Sequence, residues 1–371
     1  MKLRYLAILV STIILVGTVG AAEIYNKDGN KLDLFGTVNG MRYLSNADVK
    51  NGDSSFVRYG FNGETHINDQ LIGFGMWESE AAVHHADDGG SKNNNNTRLG
   101  YAGMKFGNFD SIDYGRNYGV LYDVGAYTDV MPEFGGDTSI VDNFLSNLAS
   151  GVATYRNTNF FGLVDGLNFA LQYQDKNDSD KGTILGLKEA NGYGYGVSIS
   201  YTFDNGISTA AAYANSKHTF SQKVLVGNHG NNAEAYYFGL KYDANDLYLA
   251  ALYGETRNMT PFGNFEGYQS AENMYGFIDK AKNIELVAQY QFDFGLRPSI
   301  GYLQSRTSDI ISNGQNSYLK KYIEVGTSYN LNKNMLTFVD YRINLLKNDD
   351  LIRAVHLATG NILALGMTYT F

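Results

Sequence analysis

The sequence predicts an all-β fold, a closed antiparallel barrel that crosses a membrane, on three observations. From Lys31 onward the apolar residues recur with a period of two, as half-buried strands require. The connections alternate between tight turns and long polar segments, giving a barrel with one short rim and one long rim. Tyrosine and phenylalanine gather at strand ends, as at Tyr173, Tyr201, Phe203, Tyr290, Phe292, Tyr329, Tyr369 and Phe371, where a lipid–water interface accepts amphipathic rings. A soluble β-sandwich shares the alternation but has no need of so many exposed aromatics.

The first element is an export signal. Lys2 and Arg4 form a positive start, Leu6 to Val16 is apolar apart from Ser11 and Thr12, and Val19-Gly20-Ala21 supplies small residues before a cut after Ala21. A membrane anchor is the competing reading. It is disfavoured because the apolar core is short and a polar, turn-rich segment follows at once. Removing residues 1–21 takes the formal charge from −9 to −11, since Lys2 and Arg4 go with it. No later stretch approaches the roughly 18 consecutive apolar residues of a membrane helix.

Strands follow near 31–45, 54–67, 70–81, 97–106, 109–117, 151–158, 167–174 and 192–203. The second half adds 207–216, 233–243, 246–256, 282–292, 296–306, 319–330, 335–344 and 362–371, about 16 strands in all. In the segment 192–203, Tyr193, Tyr195, Val197, Ile199 and Tyr201 alternate with Gly194, Gly196, Ser198 and Ser200. An even count puts both termini on one side and closes the cylinder without an edge. Pro298 falls early in a predicted strand and would remove a ladder donor, so a bulge or a shifted boundary is expected there. Residues 22–371 therefore read as one barrel, not two domains.

Composition narrows the function classes. The 42 glycines make up about 11% of the chain, where proteins average near 7%. With no cysteine there is no disulfide scaffold, thiolate metal site or cysteine nucleophile. A net charge of −9 argues against a nucleic-acid partner, which calls for a basic face. The mean hydropathy of −0.27 would suit a soluble protein, yet strict alternation averages a lipid face with a water face. His84-His85 suggests a metal only weakly, because adjacent histidines do not easily face one centre. No cofactor or metal is implied.

Barrel size sets the chemistry. Eight strands are filled by their own side chains, whereas 16 to 18 leave an aqueous channel. The lumen-side residues are Gly, Ser, Thr, Asn, Gln and charges, so the interior should be wet. The stretch from Tyr118 to Ser150 is long enough to be functional. It carries Asp123, Asp129, Glu133, Asp137 and Asp142, with Gly135-Gly136 after Pro132. A solvated outer loop and an inward-folded constriction are both open on pattern alone.

Longer strings then reach a family. AEIYNKDGNKLDLFG from Ala22, RYGFNGETHIN from Arg58, NNTRLGYAGMKFG from Asn95, DYGRNYGVLYD from Asp113, YTDVMPEFGGDT from Tyr127 and GVATYRNTNFFGLVDGLNFALQY from Gly151 resemble the general diffusion porins of Gram-negative outer membranes, the OmpC/OmpF type. LKYDAN from Leu240, YGETRN from Tyr253 and LVAQYQFDFGLRPSIGY from Leu286 extend the resemblance over nearly all of residues 22–371. It implies a 16-stranded antiparallel transmembrane β-barrel with an inward-folded third loop, assembled as a homotrimer. The implied activity is passive diffusion of small hydrophilic solutes and ions, with no enzymatic step. Its surroundings would be outer-membrane lipid and lipopolysaccharide, and its helper the barrel assembly machinery.

By position, Asp129 and Glu133 match the acidic side of the family's narrowest ring, and Arg58 and Arg98 its basic side. Alternation agrees for Arg58, since Val57, Tyr59 and Phe61 take the lipid-facing parity. Two further basic positions are Thr37 and Leu148 here, so the basic side is thinner and a cation preference follows. Arg116 resembles a subunit-interface position, with Asp87 or Asp88 of a neighbouring copy as its partner. Tyr369 and Phe371 resemble the assembly signal of such barrels. A barrel enzyme would need a nucleophile beside a base, and no histidine falls in the matched ring. A solute-specific channel would show an aromatic track or a basic ladder along the lumen.

Overall fold

A computed structural model describes residues 22–45, 51–84, 95–137, 141–178, 184–225, 230–263, 275–308, 316–347 and 357–371. Residues 1–21, read above as an export signal, and His85, Asp87 and Asp88 lie outside the described residues.

Sixteen strands close on one another. They are β1 (Asn30–Ser45), β2 (Phe56–Asn68), β3 (Leu71–Ala82), β4 (Asn95–Phe106), β5 (Asp110–Tyr118), β6 (Leu148–Asn157), β7 (Leu167–Gln174) and β8 (Gly194–Thr202). The circuit continues with β9 (Ile207–Lys217), β10 (Asn232–Ala244), β11 (Leu247–Arg257), β12 (Ala281–Tyr290), β13 (Leu296–Ser308), β14 (Asn316–Asn330), β15 (Met335–Asn344) and β16 (Ile362–Thr370). Each pairs antiparallel with the next, and β16 returns to β1 from Thr37↔Thr370 to Ser45↔Ile362. An arm, Ala22–Lys27, pairs with the start of β1 and so continues the line of β16 along the same edge. Phe371 exchanges two 3.0 Å backbone hydrogen bonds with Gly36, and its ring lies where a Cβ on Gly36 would stand, 2.6 Å from the ring carbon. A Cβ there would also stand 2.8 Å from the Arg58 backbone carbonyl oxygen, so glycine lets the seam close without moving the neighbouring strand.

The alternation seen in the sequence is the division between wall faces. On β8, Tyr195, Val197 and Ile199 are exposed, while Gly194, Gly196 and Ser198 are buried inside. Outward rings form cross-rim contacts, Tyr201 with Phe203 at 4.6 Å and Tyr290 with Phe292 at 4.9 Å, one girdle; Tyr173 against Tyr193 at 6.3 Å belongs to the other. Pro298 corrects one expectation. It pairs in register with Thr327 without a bulge, and the shift in that ladder falls instead between Ser305 and Arg306. On its other side the β12 ladder begins only at Ser299↔Gln289, so no donor from Pro298 is required there.

The connection between β5 and β6 runs from 119 to 147, slightly shorter than the expected 118–150 because Tyr118 and Leu148 are already paired in the sheet. It enters the barrel and lies on the inner wall. Val120, Leu121, Val124, Phe144 and Leu145 pack with Ala210, Ala212 and Ala214 of β9, Ala233, Ala235 and Tyr237 of β10, and Leu252 of β11. The wall alanines leave room for the segment. Where Gly196 and Gly239 stand, a Cβ would come within 2.5 Å of Val120 and 2.8 Å of Val124.

Candidate functional site: a charged ring in the lumen

The inserted segment is fixed at points along its course. The Val120 amide donates to Gln172 Oε1 at 2.9 Å, Tyr248 Oη to the Tyr127 carbonyl at 2.7 Å, and Gln289 Nε2 to the Val130 carbonyl at 2.8 Å. Its tip turns at Gly135 and Gly136, whose φ values of +96° and +58° lie in the left-handed region that glycine adopts without strain. Before that turn, the Glu133 and Phe134 amides donate to Asp340 Oδ2 of β15 at 2.9 and 3.3 Å. After it, Asp137 takes an ion pair from Lys320 at 3.0 Å and a hydrogen bond from Tyr322 at 2.9 Å, both on β14.

The five acidic residues of the segment separate by role. Asp123 pairs with Arg156 at 3.0 Å and accepts from Ser198; Asp142 pairs with Arg116 at 3.0 Å; Asp137 holds Lys320. Asp129 accepts from Tyr122 at 2.7 Å and makes no ion pair among the described residues. Glu133 accepts from Tyr43 of β1.

Facing them is the basic side. Arg58 projects inward from β2, as its parity requires, and Thr37 is its direct cross-strand neighbour on β1. Arg98 reaches the same wall by a different route. Glu78 pairs with Leu99 and Ser79 with Thr97, so Arg98 is the extra residue of a bulge on β4. Two carboxylates that the sequence reading did not single out lie between the guanidiniums. Glu80 accepts from Arg58 Nε at 3.1 Å and Nη2 at 2.6 Å, and Glu78 accepts from Arg98 Nε at 2.8 Å. Longer contacts cross-link the four, Arg58 to Glu78 at 4.0 Å and Arg98 to Glu80 at 3.9 Å. The available signal was parity, since Glu78 and Glu80 are two apart and Glu80 stands directly opposite Arg58 once β2 and β3 are paired.

The two departed positions are both inside. Thr37 has a buried hydroxyl with no hydrogen-bond partner among the described residues. Leu148 is buried with Met76 and Leu99 against Phe35, Tyr101 and Tyr118, an apolar patch at a position where the resemblance led one to expect a basic group. Arg116 is held within its own chain, by the Thr97 carbonyl, the Leu148 carbonyl, Ser150 and Asp142. Tyr369 points outward beside Phe371, ring centres 6.2 Å apart, at the closing seam.

A 16-stranded barrel with a lipid-facing outer wall and a segment folded across its wet lumen defines a membrane channel of the outer-membrane type. The comparisons agree: residues 27–371 match the family model described as Gram-negative porin, and the chain belongs to that family. It is 52% identical over 377 residues to outer membrane protein F of Serratia marcescens, and 50% identical over 383 residues to outer membrane porin C of Salmonella typhimurium strain LT2, each over the full length of both chains. Among solved structures it resembles Salmonella typhi OmpF in complex with daunomycin, 45% identical with a TM-score of 0.85, covering 94% of this chain and 100% of that one. An anion-selective porin from Comamonas acidovorans, 17% identical with a TM-score of 0.64 over 92% of this chain and 100% of that one, shares the fold. The protein is an outer-membrane channel of a Gram-negative cell.

Proposed function

We propose that the chain is a passive, cation-preferring pore for small hydrophilic solutes and ions, without enzymatic activity. Because the fold also hosts a channel described as anion-selective, the sign of the preference has to come from the ring residues and not from the barrel. The observation that carries it is an imbalance. Asp129 faces the opening without an ion pair among the described residues, whereas Arg58 and Arg98 each spend their charge on a carboxylate of β3. Thr37 and Leu148, where the resemblance leads one to expect basic groups, add no positive charge. In a narrow ring a fixed excess of one sign raises the local concentration of the opposite ion.

The positive start, apolar core and small residues of the first 21 positions mark them as a signal removed on export. The remaining parts of the reading rest on resemblance. Three copies assemble, with Arg116 near their contact and Asp87, outside the described residues, as a candidate partner from a neighbour. Outer-membrane lipid and lipopolysaccharide surround the wall, and Tyr369 with Phe371 addresses the chain to the assembly machinery. The test is the reversal potential of the purified protein in a planar bilayer under a potassium chloride gradient. A potential of the sign that marks potassium as the more permeant ion is expected; chloride preference overturns the reading.

A further inference from the structure

The wall that carries the two arginines contains as many carboxylates as guanidiniums, and they are not equally placed. Side-chain exposure is 6% for Glu78, 22% for Arg98, 23% for Arg58 and 32% for Glu80. The most accessible charge of the four is thus a carboxylate. Glu80 faces Arg58 across the β2–β3 ladder, where opposite charges meet at short range, and its Oε2 accepts charge-assisted hydrogen bonds from two of the guanidinium's donors. Its second approach, to Arg98 at 3.9 Å, places it between both cations. The Phe56 ring, 5.5 Å from the Arg58 guanidinium carbon, adds a cation–π contact that also favours this position.

We infer that Glu80 is a selectivity-determining residue of the pore: by clamping Arg58 to the wall and presenting its own carboxylate to the passing ion, it cancels one of the two wall arginines that would otherwise oppose Asp129 and Glu133, as Glu78 does for Arg98. The inference rests on the cation-preferring reading and deepens it. The ring is cation-preferring through what it lacks at Thr37 and Leu148, and also through what it adds at Glu80. An arginine in a pore wall counts toward anion passage only when its charge reaches the ion path; a carboxylate holding two of its donors, the nearer at 2.6 Å, turns that charge into a local dipole.

The experiment compares wild type, E80Q and the double variant R58Q/E80Q as full-length protein in planar bilayers under the same salt gradient. Glu80→Gln preserves shape and can still accept one hydrogen bond, and appearance of unitary channels reports that the variant is folded. In E80Q the potassium-to-chloride permeability ratio should fall about threefold, the weight of one unit charge several ångströms from an ion in a water-like dielectric. In R58Q/E80Q the ratio should return close to wild type, because removing both members of a neutral pair leaves the ring charge unchanged. If wild type is cation-preferring and E80Q leaves the ratio where it was, the role of Glu80 is overturned while the cation reading stands. If E80Q shifts and the double variant stays shifted, Arg58 is not the unmasked group and the clamp is overturned. A wild type that prefers chloride removes the cation reading itself, whatever E80Q does.

Discussion

The inserted segment has two sides made of opposite materials. Toward β9–β11 it is apolar: Val120, Leu121, Val124, Phe144 and Leu145 rest on wall alanines, each with at most 1% of its surface exposed. Toward β2–β4 it offers Asp129 and Glu133 to a lumen whose far wall is Arg58, Glu80, Arg98 and Glu78. The first side obeys close packing, in which any change of volume is felt and the geometry is single-valued. The second obeys electrostatics across water, which falls off gradually and tolerates substitutions that keep the net charge. One side therefore fixes where the ring is, and the other fixes what the ring prefers. Mutations should separate the two, with large effects on stability and conductance from the packed side and modest effects on selectivity from the charged side.

The strongest way to break that division is Phe144→Ala. Phe144 is 1% exposed, with Phe277 at 5.7 Å edge-on and His218 at 5.4 Å. Emptying such a site costs about 3–5 kcal/mol. The expected result is a lower thermal midpoint together with larger, noisier unitary conductance as the segment leaves the wall, and little change in ion preference among open channels. A changed permeability ratio at unchanged conductance would show that the packed side also sets the field.

How far these two sides were legible differs for physical reasons. The strands were readable almost to the residue, 167–174 and 335–344 among them, because lipid outside and water inside impose a period of two on every strand. Arg58 was readable by the same parity. Arg98 was not, since on plain alternation it would face lipid, and only the bulge opposite Glu78 and Ser79 turns it inward. Its place came from resemblance. Glu78 and Glu80 lay in plain view with the right spacing, yet their partners depend on the register between β2 and β3, which alternation leaves undetermined by whole two-residue steps. The apolar cushion was hidden most deeply. The segment's apolar residues have no period, and the alanines that receive them are far away in sequence.

A smaller effect tests the tip, where the two sides meet. Asp340 accepts both the Glu133 and Phe134 amides, and it is fully buried. Asp340→Ala leaves two amides without their acceptor, at a cost of about 2 kcal/mol. Because Glu133 rides on those amides, the variant should raise unitary conductance and also weaken the ring's acidic side, lowering the potassium-to-chloride ratio slightly. Thermal unfolding together with the reversal potential checks both. Loss of stability with an unmoved ratio would mean that contacts other than Asp340, that of Tyr43 among them, position Glu133.

The smallest expected effect on stability comes from restoring a charge on the far wall. Thr37→Lys places an ammonium beside Arg58, on the strand that also carries Tyr43, in a position whose hydroxyl is now buried without a partner among the described residues. The stem adds volume to a wet lumen and not to a packed core, so stability should stay within about 0.5 kcal/mol, as for substitutions that leave packing and buried polar networks alone. The introduced ammonium meets one of two arrangements. If Glu80 remains committed to Arg58, the ammonium stays unpaired and the potassium-to-chloride ratio drops about threefold. If the ammonium captures Glu80, it frees Arg58 instead, and the ratio drops by the same amount, because the ring has gained one positive charge either way. Adding Glu80→Gln to Thr37→Lys sharpens the comparison: a further drop of similar size is expected whichever cation held the carboxylate, whereas a ratio unmoved by the second substitution would show that Glu80 no longer faces the ion path. Selectivity in this ring then follows the count of charges that reach the lumen, while the packed side decides only that they meet there.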